Sequence, residues 1–212
     1  MQEVLTERTP ISERLLPAAA TLFREKGYAG TSIRDVAAVL GIQSASLYHY
    51  ISGKEDLLQA VCVASVEQLH QRVLDALAGE TEPLARLRLV IQTFIAAILV
   101  DDGDMHAAAL LERRWLSPER RAPMRAQVVR FAALITEVIA EAQGSGALRR
   151  DIPAGHLGRA LQNLLAWSMV WFRPGEELTA RQVGDLFEKL FLEGALARTT
   201  TNASCGLEDL LT

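Results

Sequence analysis

Residues 43–50 carry side chains suited to reading nucleic acid. Four short or amide side chains come first: Gln43, Ser44, Ala45 and Ser46. At the N-terminal end of a helix in the major groove, such side chains reach base edges, and alanine touches a thymine methyl. Tyr48, His49 and Tyr50 follow, with hydroxyls and ring nitrogens suited to phosphate contacts. The alternative for Tyr48 alone is a packing role.

Four further polar residues flank this segment. Thr31 and Arg34 are placed to hold the neighbouring phosphate backbone, and Ser32 is a helix cap before it is a phosphate contact. Lys54 lies at the start of the following helix, where amides and an ammonium together favour an anion. Arg34 as a merely solvated helix residue is the alternative reading.

Two short helices must position these residues. Ser32 with Asp35 reads as a capping box that opens a helix over 33–40, and Gly41 suits a left-handed C-terminal cap. A second helix follows over 44–50, with Leu47 facing inward. Ser52 with Glu55 reads as another capping box, opening a long helix to about residue 77. Two short helices joined by a tight turn predict a helix-turn-helix.

Helical periodicity continues along the chain. A first helix precedes the motif, from a Thr9-Pro10 start to Gly27, with a frayed or kinked first turn at Pro17. No alternating strand pattern occurs, so the sequence predicts an all-α fold of about nine helices. The further predicted helices cover 84–100, 105–116, 123–142, 154–172 and 179–197. The predicted division is a DNA-binding domain at 1–52, a connecting helix at 53–78, a ligand-binding and dimerisation domain at 79–197, and a disordered tail at 198–212.

Charge and composition narrow the class of protein. The 212 residues have a net charge of −4, which is unfavourable for phosphate contacts, although residues 24–54 carry four Lys/Arg against two Asp/Glu. We therefore expect a homodimer, which doubles the contacts. Two cysteines far apart in sequence fit a reducing cytoplasm. The N-terminus does not resemble a secretory signal, and no stretch of 18 or more apolar residues lacks charge, so no membrane partner is expected.

The segment G-Y-A-G-T-S-I-R-D-V-A-A-V-L-G-I-Q-S-A-S-L-Y-H-Y-I-S-G-K-E-D-L-L resembles the DNA-binding region of the TetR family of bacterial transcriptional regulators. The resemblance covers about residues 12–60. It implies an all-helical homodimer that binds a palindromic operator, usually as a repressor, and a C-terminal domain whose small-molecule effector releases DNA. Two departures are Ile51, where the family often has phenylalanine after a histidine, and Ser52, where it often has lysine.

The C-terminal half gives a weaker resemblance. The pattern N-x-x-x-W-x-x-x-W, followed by an arginine and Pro-Gly, is similar to the branch that senses acyl-CoA thioesters. Tryptophans with a few polar neighbours suit an apolar ligand cavity, although each one alone also suits a core or dimer contact. The predicted ligand-binding residues are Phe94, Ile98, Met105, His106, Leu110, Arg114, Trp115, Val128, Phe131, Asn163, Trp167 and Trp171.

Two helical apolar stripes near the C-terminus predict the dimer interface. Together, two such hairpins would form a four-helix interface between subunits. The predicted interface residues are Leu157, Leu161, Leu164, Leu165, Phe172, Val183, Leu186, Phe187, Leu190 and Phe191. Five arginines around Trp115, in the stretch 113–125, either receive the phosphates of CoA or form a solvated face.

Other functions remain as alternatives. An enzyme is disfavoured because no H-E-x-x-H, P-loop or G-x-G-x-x-G occurs; His106 near Asp101, Asp102 and Asp104 is the one conceivable catalytic or metal cluster. We expect no metal and no cofactor. There are two rival predictions. One is a regulator of drug efflux that senses a free lipophilic compound, and the other is a helical interaction protein without DNA binding. Whether the regulator represses or activates stays open.

Overall fold

The computed structural model of the protein describes residues 10–195. The predicted lead-in at 1–9, including Thr9, and the predicted tail at 198–212, including Cys205, lie outside the described residues. Within 10–195 the chain is helical and contains no strand, as the sequence predicts. The first four helices are α1 (Ile11–Gly30), α2 (Ile33–Leu40), α3 (Ser44–Leu47) and α4 (Lys54–Leu77).

Local sequence explains the boundaries of α1 and α2. Ser32 Oγ accepts from Asp35 N at 3.2 Å while Asp35 accepts from Ser32 N at 2.7 Å, which is the predicted capping box. Gly41 has a φ of 71°, so it ends α2 in the left-handed conformation that glycine favours. The predicted kink at Pro17 does not occur; the break in α1 lies at Gly27, whose φ is also 71°.

The remaining helices form the larger part of the molecule. A π-helical turn, Ala97–Asp101, extends α5, and a 3₁₀ turn, Arg113–Trp115, follows α6. The predicted helix over 154–172 is divided at Trp167 into α8 and α9. The bounds are α5 (Pro83–Ala96), α6 (Gly103–Glu112), α7 (Pro118–Gly144), α8 (Ala154–Ala166), α9 (Ser168–Trp171) and α10 (Ala180–Ala195).

The described residues bury two hydrophobic cores, joined by α4. We call α1–α3 the head, and the core beneath it, which runs from Leu15 to Cys62, the head core. The head core also contains Met105 and Ala108 of α6, Leu116 after the 3₁₀ turn, and Met124 of α7. The second core, built from the lower part of α4 with α5, α7, α8 and α10, is the body core. The predicted boundaries at 52 and 79 therefore do not separate the cores, which meet partway along α4.

One stretch, Pro83–Asp101, is long and apolar enough to cross a membrane by length and composition. Its apolar side chains pack into the body core instead; Leu87, Val90 and Ile91 are fully buried there. Arg86 and Arg88 on the same stretch form ion pairs with Glu141 and Glu188. This burial and these ion pairs are typical of a core helix in a folded domain.

Candidate functional site

The end of α3 presents a polar and aromatic surface. Leu47 is completely buried and fixes the helix to the head core, whereas Ala45, His49 and Tyr50 are exposed. Tyr48 has 59% of its surface exposed, which is high for an aromatic side chain. The structure therefore brings these predicted DNA-binding residues together on one outward surface.

The helical geometry of α3 is shorter than predicted. Regular α-helix ends at Leu47, and residues 48–50 continue as tighter turns in which Tyr48 N donates to Ala45 O and Tyr50 N donates to Leu47 O. Side chains three residues apart overlap in such turns. Ala45 and Tyr48 consequently project from the same side of the head.

The remaining predicted DNA contacts differ in their surroundings. Gln43 and Arg34 are exposed, and Ser44 and Ser46 are half-buried at the start of α3. Ser32 is exposed, but its hydroxyl lies 2.6 Å from Asp35 and serves the capping box, which lowers the pKa of the Asp35 carboxyl. Ser32 is a cap first, as its sequence position predicts.

Thr31 is a structural residue. Its side chain is 2% exposed, and its hydroxyl lies 2.9 Å from Gly27 O and 3.1 Å from Leu22 O. Both carbonyls belong to the last turns of α1, one before the break at Gly27 and one at it. The prediction that Thr31 contacts DNA is wrong, because the residue closes the end of α1.

Lys54 also has internal partners. Its Nζ donates to Tyr28 O at 2.8 Å and to Thr31 O at 2.9 Å, and lies 4.2 Å from the centroid of the Tyr28 ring. The ammonium therefore connects the start of α4 to the end of α1 and to the residue that follows it. The predicted phosphate contact is replaced by a positioning role. The predicted capping box of Ser52 with Glu55 is absent as well, since Ser52 N donates to Asp56.

Residues 112–120, from the end of α6 through the 3₁₀ turn to the start of α7, contact the head; we call them the corner. Glu112 accepts from Tyr28 N at 3.0 Å, and Trp115 stacks on the Tyr28 ring. Ser117 N donates to Glu55 at 2.8 Å, so the corner also binds the first turn of α4. The corner therefore touches α1 and α4 at once.

Ion pairs strengthen this contact. Arg120 of α7 donates to Asp56 at 3.1 Å and to Gln59 at 2.8 Å. The Ser52 amide, together with Arg120, lowers the pKa of Asp56. At the other end of α6, Asp104 pairs with Arg24 and accepts from Thr21 at 2.6 Å. These contacts join residues more than 60 positions apart, so local sequence patterns gave no signal for them.

The predicted ligand-binding residues do not surround one cavity. Phe94, Ile98 and Phe131 are buried in the body core, whereas Met105 is buried in the head core. Leu110 and Arg114 line a surface cavity, described below, and Trp115 lies on Tyr28. The others are exposed on the surface formed by residues of the α7–α9 region: Val128, Asn163, Trp167 and Trp171. The prediction of a single pocket from these residues is wrong.

His106 is buried on α6 beside α4. It is 5% exposed, its Nδ1 lies 2.7 Å from Ser65 Oγ, and burial lowers its pKa to about 4. The nearby acidic residues are engaged elsewhere, since Arg72 pairs with Asp101 and Asp102. Within residues 10–195 no group of His, Cys, Asp or Glu is arranged to hold a metal ion. The cluster considered as a catalytic or metal site is therefore a set of structural contacts.

A cavity of about 490 Å³ opens beside the corner, between α6 and α7. Four of its lining side chains are arginines: Arg113, Arg114, Arg121 and Arg125. Of the five arginines predicted to surround Trp115, only Arg120 is turned away, toward Asp56 and Gln59. The sequence pattern thus located a concentration of positive charge.

The predicted dimer residues divide into two faces. Six are enclosed by their own subunit and cannot form a surface: Leu157, Leu161, Leu165, Val183, Phe187 and Phe191. Phe172 is half-buried, whereas Leu164, Leu186 and Leu190 are exposed. Trp167, 59% exposed, and Trp171 also lie at the surface. The interface prediction is wrong for the six buried residues, because the stripe that faces the core was taken for the stripe that faces outward.

Known proteins share this architecture. Residues 15–61 match the model of bacterial regulatory proteins of the tetR family, and residues 80–195 match the tetracyclin repressor-like C-terminal domain. The chain belongs to the tetR family of bacterial regulators. The match to the C-terminal model covers more than half of the chain, and the predictions of family and fold are confirmed.

Individual TetR-family relatives agree. The HTH-type transcriptional repressor KstR2 of Mycobacterium tuberculosis is 28% identical over 184 residues, which are 85% of this chain and 90% of that protein. The regulator PfmR of Thermus thermophilus superposes with a TM-score of 0.78 at 29% identity, covering 85% of this chain and 97% of that one. AibR, solved with isovaleryl coenzyme A and operator DNA, has a TM-score of 0.77 at 26% identity, with coverage of 85% and 97%. This chain is accordingly a ligand-responsive DNA-binding regulator and not an enzyme.

Proposed function

We propose that this TetR-family chain represses transcription as a homodimer on a palindromic operator, and that an acyl-CoA thioester releases it. The observation that carries the proposal is the corner. It contacts α1 of the head and the first turn of α4 on one side, and lines the arginine-rich cavity on the other. A ligand near the corner is thereby placed to alter the setting of the recognition helix.

The proposed reading surface is the exposed face of α3. Gln43, Ala45 and Tyr48 are placed at or near its N-terminal end for base edges and the flanking backbone, and His49 and Tyr50 for phosphates. Arg34 on α2 adds a phosphate contact. Since each head carries little net positive charge, useful affinity requires two heads on half-sites about 34 Å apart.

The proposed dimer surface is the exposed apolar side of α8–α10. It offers Leu164, Trp167, Leu186 and Leu190, which are unusually large side chains to leave in water. A homodimer through this surface would bury them and pair the two heads.

The effector class is supported by chemistry and by a relative. AibR was solved with isovaleryl coenzyme A and operator DNA, and KstR2 is a repressor. Four arginines at a cavity beside the corner suit a ligand with several negative charges. A free lipophilic compound, as in regulators of drug efflux, has no use for these cations. Since the proposed operator lies on the chromosome, we propose a cytoplasmic location.

A gel-shift assay with the region upstream of the protein's own gene tests the proposal. Wild type should retard this DNA, and octanoyl-CoA, but not octanoate, should release it. Tyr48→Ala should weaken binding at least tenfold with an unchanged circular dichroism spectrum, whereas Val129→Ala, at an exposed site on α7, should not. Unchanged binding by Tyr48→Ala would remove the assigned reading surface, and release by octanoate alone would favour the free lipophilic effector.

A further inference from the structure

The cavity between α6 and α7 has an unusual balance of charge. Its four arginines, at positions 113, 114, 121 and 125, come from the corner and the first turns of α7. Leu110, Leu111 and Met124 supply the apolar part of the wall. No acidic side chain among the described residues lines it. Like charges gathered around one cavity repel each other, so the arrangement is most stable when an anion fills it.

The four guanidinium groups have no acidic partner in the described part of the fold. None of them takes part in an ion pair within residues 10–195, although Arg120, between them in sequence, is bound to Asp56. Arg121 donates through Nη2 to Arg114 O at 2.7 Å, but its Nε is buried without a hydrogen-bond partner. A buried donor without a partner costs free energy that an incoming acceptor recovers. Arg121 thus lines the cavity with a donor that the fold leaves without an acceptor.

We propose that this cavity binds the phosphorylated nucleotide end of the CoA thioester, an inference that rests on the proposed function. That end carries a pyrophosphate and a ribose 3′-phosphate, and arginine forks bind phosphate oxygens in pairs. Its adenine ring lies against the leucines and the methionine. A volume of about 490 Å³ falls within the range of small-molecule sites. The acyl chain, which gains nothing from four cations, extends away from the arginines.

The corner connects this cavity to the head, so binding in the cavity can affect the head. Arg113 and Arg114 lie between Glu112, which accepts from Tyr28 N, and Trp115, which stacks on the Tyr28 ring. Arg114 also lies 5.8 Å from the Trp115 ring centroid. Phosphates that draw the two arginines toward α7 move Glu112 and Trp115 with them. Nucleotide binding and operator binding then favour different settings of the corner, which is the condition for coupling.

Calorimetric titration of the full-length protein without DNA tests the site. The probes are octanoyl-CoA, CoA, adenosine 3′,5′-bisphosphate, ATP, inorganic phosphate and octanoate. Octanoyl-CoA, CoA and the bisphosphate should bind. ATP, which lacks the 3′-phosphate, should bind at least tenfold more weakly than the bisphosphate. The double variant Arg121→Gln/Arg125→Gln should weaken all CoA species at least thirtyfold, while Arg130→Gln, exposed on α7 outside the cavity, should have wild-type affinity.

The outcomes separate this inference from the proposed function. Wild-type affinity for octanoyl-CoA in a folded double variant would overturn the assignment of the cavity, even if operator release persists. Equal binding of ATP and the bisphosphate would overturn the choice of nucleotide. If no CoA species binds wild type while the operator is still retarded in a gel shift, the effector class fails and the DNA-binding role stands. Melting curves of both variants establish that they are folded.

Discussion

Trp115 stacks on Tyr28, with ring centroids 5.8 Å apart and ring planes inclined by 27°. The contact joins the 3₁₀ turn after α6 to the end of α1, two segments that are 87 residues apart in sequence. Tyr28 also contacts Phe23 and the ammonium of Lys54. Three elements, the 3₁₀ turn, α1 and α4, thus meet at one aromatic ring.

Removal of the Trp115 ring should weaken this junction. Trp115→Ala should lower the free energy of unfolding by about 1 kcal/mol, the usual worth of an aromatic pair. Operator affinity without effector should stay within about threefold of wild type, but release by octanoyl-CoA should require at least fivefold more ligand, since the corner is partly disconnected. Denaturant unfolding and gel shifts measure both. Trp115→Phe, which keeps a ring, is the control; full release in Trp115→Ala at wild-type ligand concentrations would contradict this role.

Substitution of Lys54 distinguishes a positioning residue from a phosphate contact. Lys54→Met retains the aliphatic stem but leaves the carbonyls of Tyr28 and Thr31 without their donor, so the free energy of unfolding should fall by about 1–3 kcal/mol. Operator binding should weaken, yet the slope of log affinity against log salt should match wild type. Arg34→Gln, at an exposed proposed phosphate contact, should reduce that slope by about 1 for each head. An equal loss of slope in Lys54→Met would show that its ammonium does bind phosphate.

A charged substitution tests whether the exposed face of α8–α10 forms the dimer interface. Leu190, 55% exposed, should tolerate Leu190→Glu in the subunit fold, but the carboxylate should prevent a partner from covering it. We expect a monomer by light scattering with unchanged helix content. Leu74→Glu, at an exposed leucine on α4, should remain dimeric. A dimer of undiminished stability in Leu190→Glu would place the interface elsewhere.

The buried His106 predicts acid sensitivity. Its folded pKa of about 4 lies below the unfolded value of 6.5, so the unfolded chain binds the extra proton first. Stability from this residue is complete above pH 6.5 and decreases as the pH falls toward 4. Between pH 7 and pH 5 the loss should be about 2 kcal/mol. His106→Asn should lack this part of the loss in denaturant unfolding at the two pH values; identical pH dependence of both proteins would contradict it.

Local chemistry made the head predictable. The capping box of Ser32 with Asp35 and the left-handed Gly41 each depend on residues a few positions apart, so the sequence alone defines α2 and the turn after it. Thr31 and Lys54 were misassigned because their partners are carbonyl groups, which no side-chain pattern reveals.

The roles of residues around the body core were harder to predict from the sequence, for a geometric reason. Helix α8 carries two adjacent apolar stripes, one through Leu161 and Leu165 and one through Leu164 and Trp167. Periodicity shows that both lie on helix faces, but only packing against α7 and α10 shows that the first stripe is buried. The ligand residues were misplaced for the same reason, since shared helix spacing does not establish a shared cavity.

The participation of α6 in the head core limits how such regulators can be recombined. Met105, Ala108 and Leu116 would leave an unfilled gap under α1 if residues 15–61 alone were joined to the body of another regulator. A working chimaera should need α6 and the corner from the same parent as the helix-turn-helix. Exchange of DNA specificity during evolution would, by the same reasoning, proceed by substitution on the surface of α3 more readily than by transfer of the whole segment.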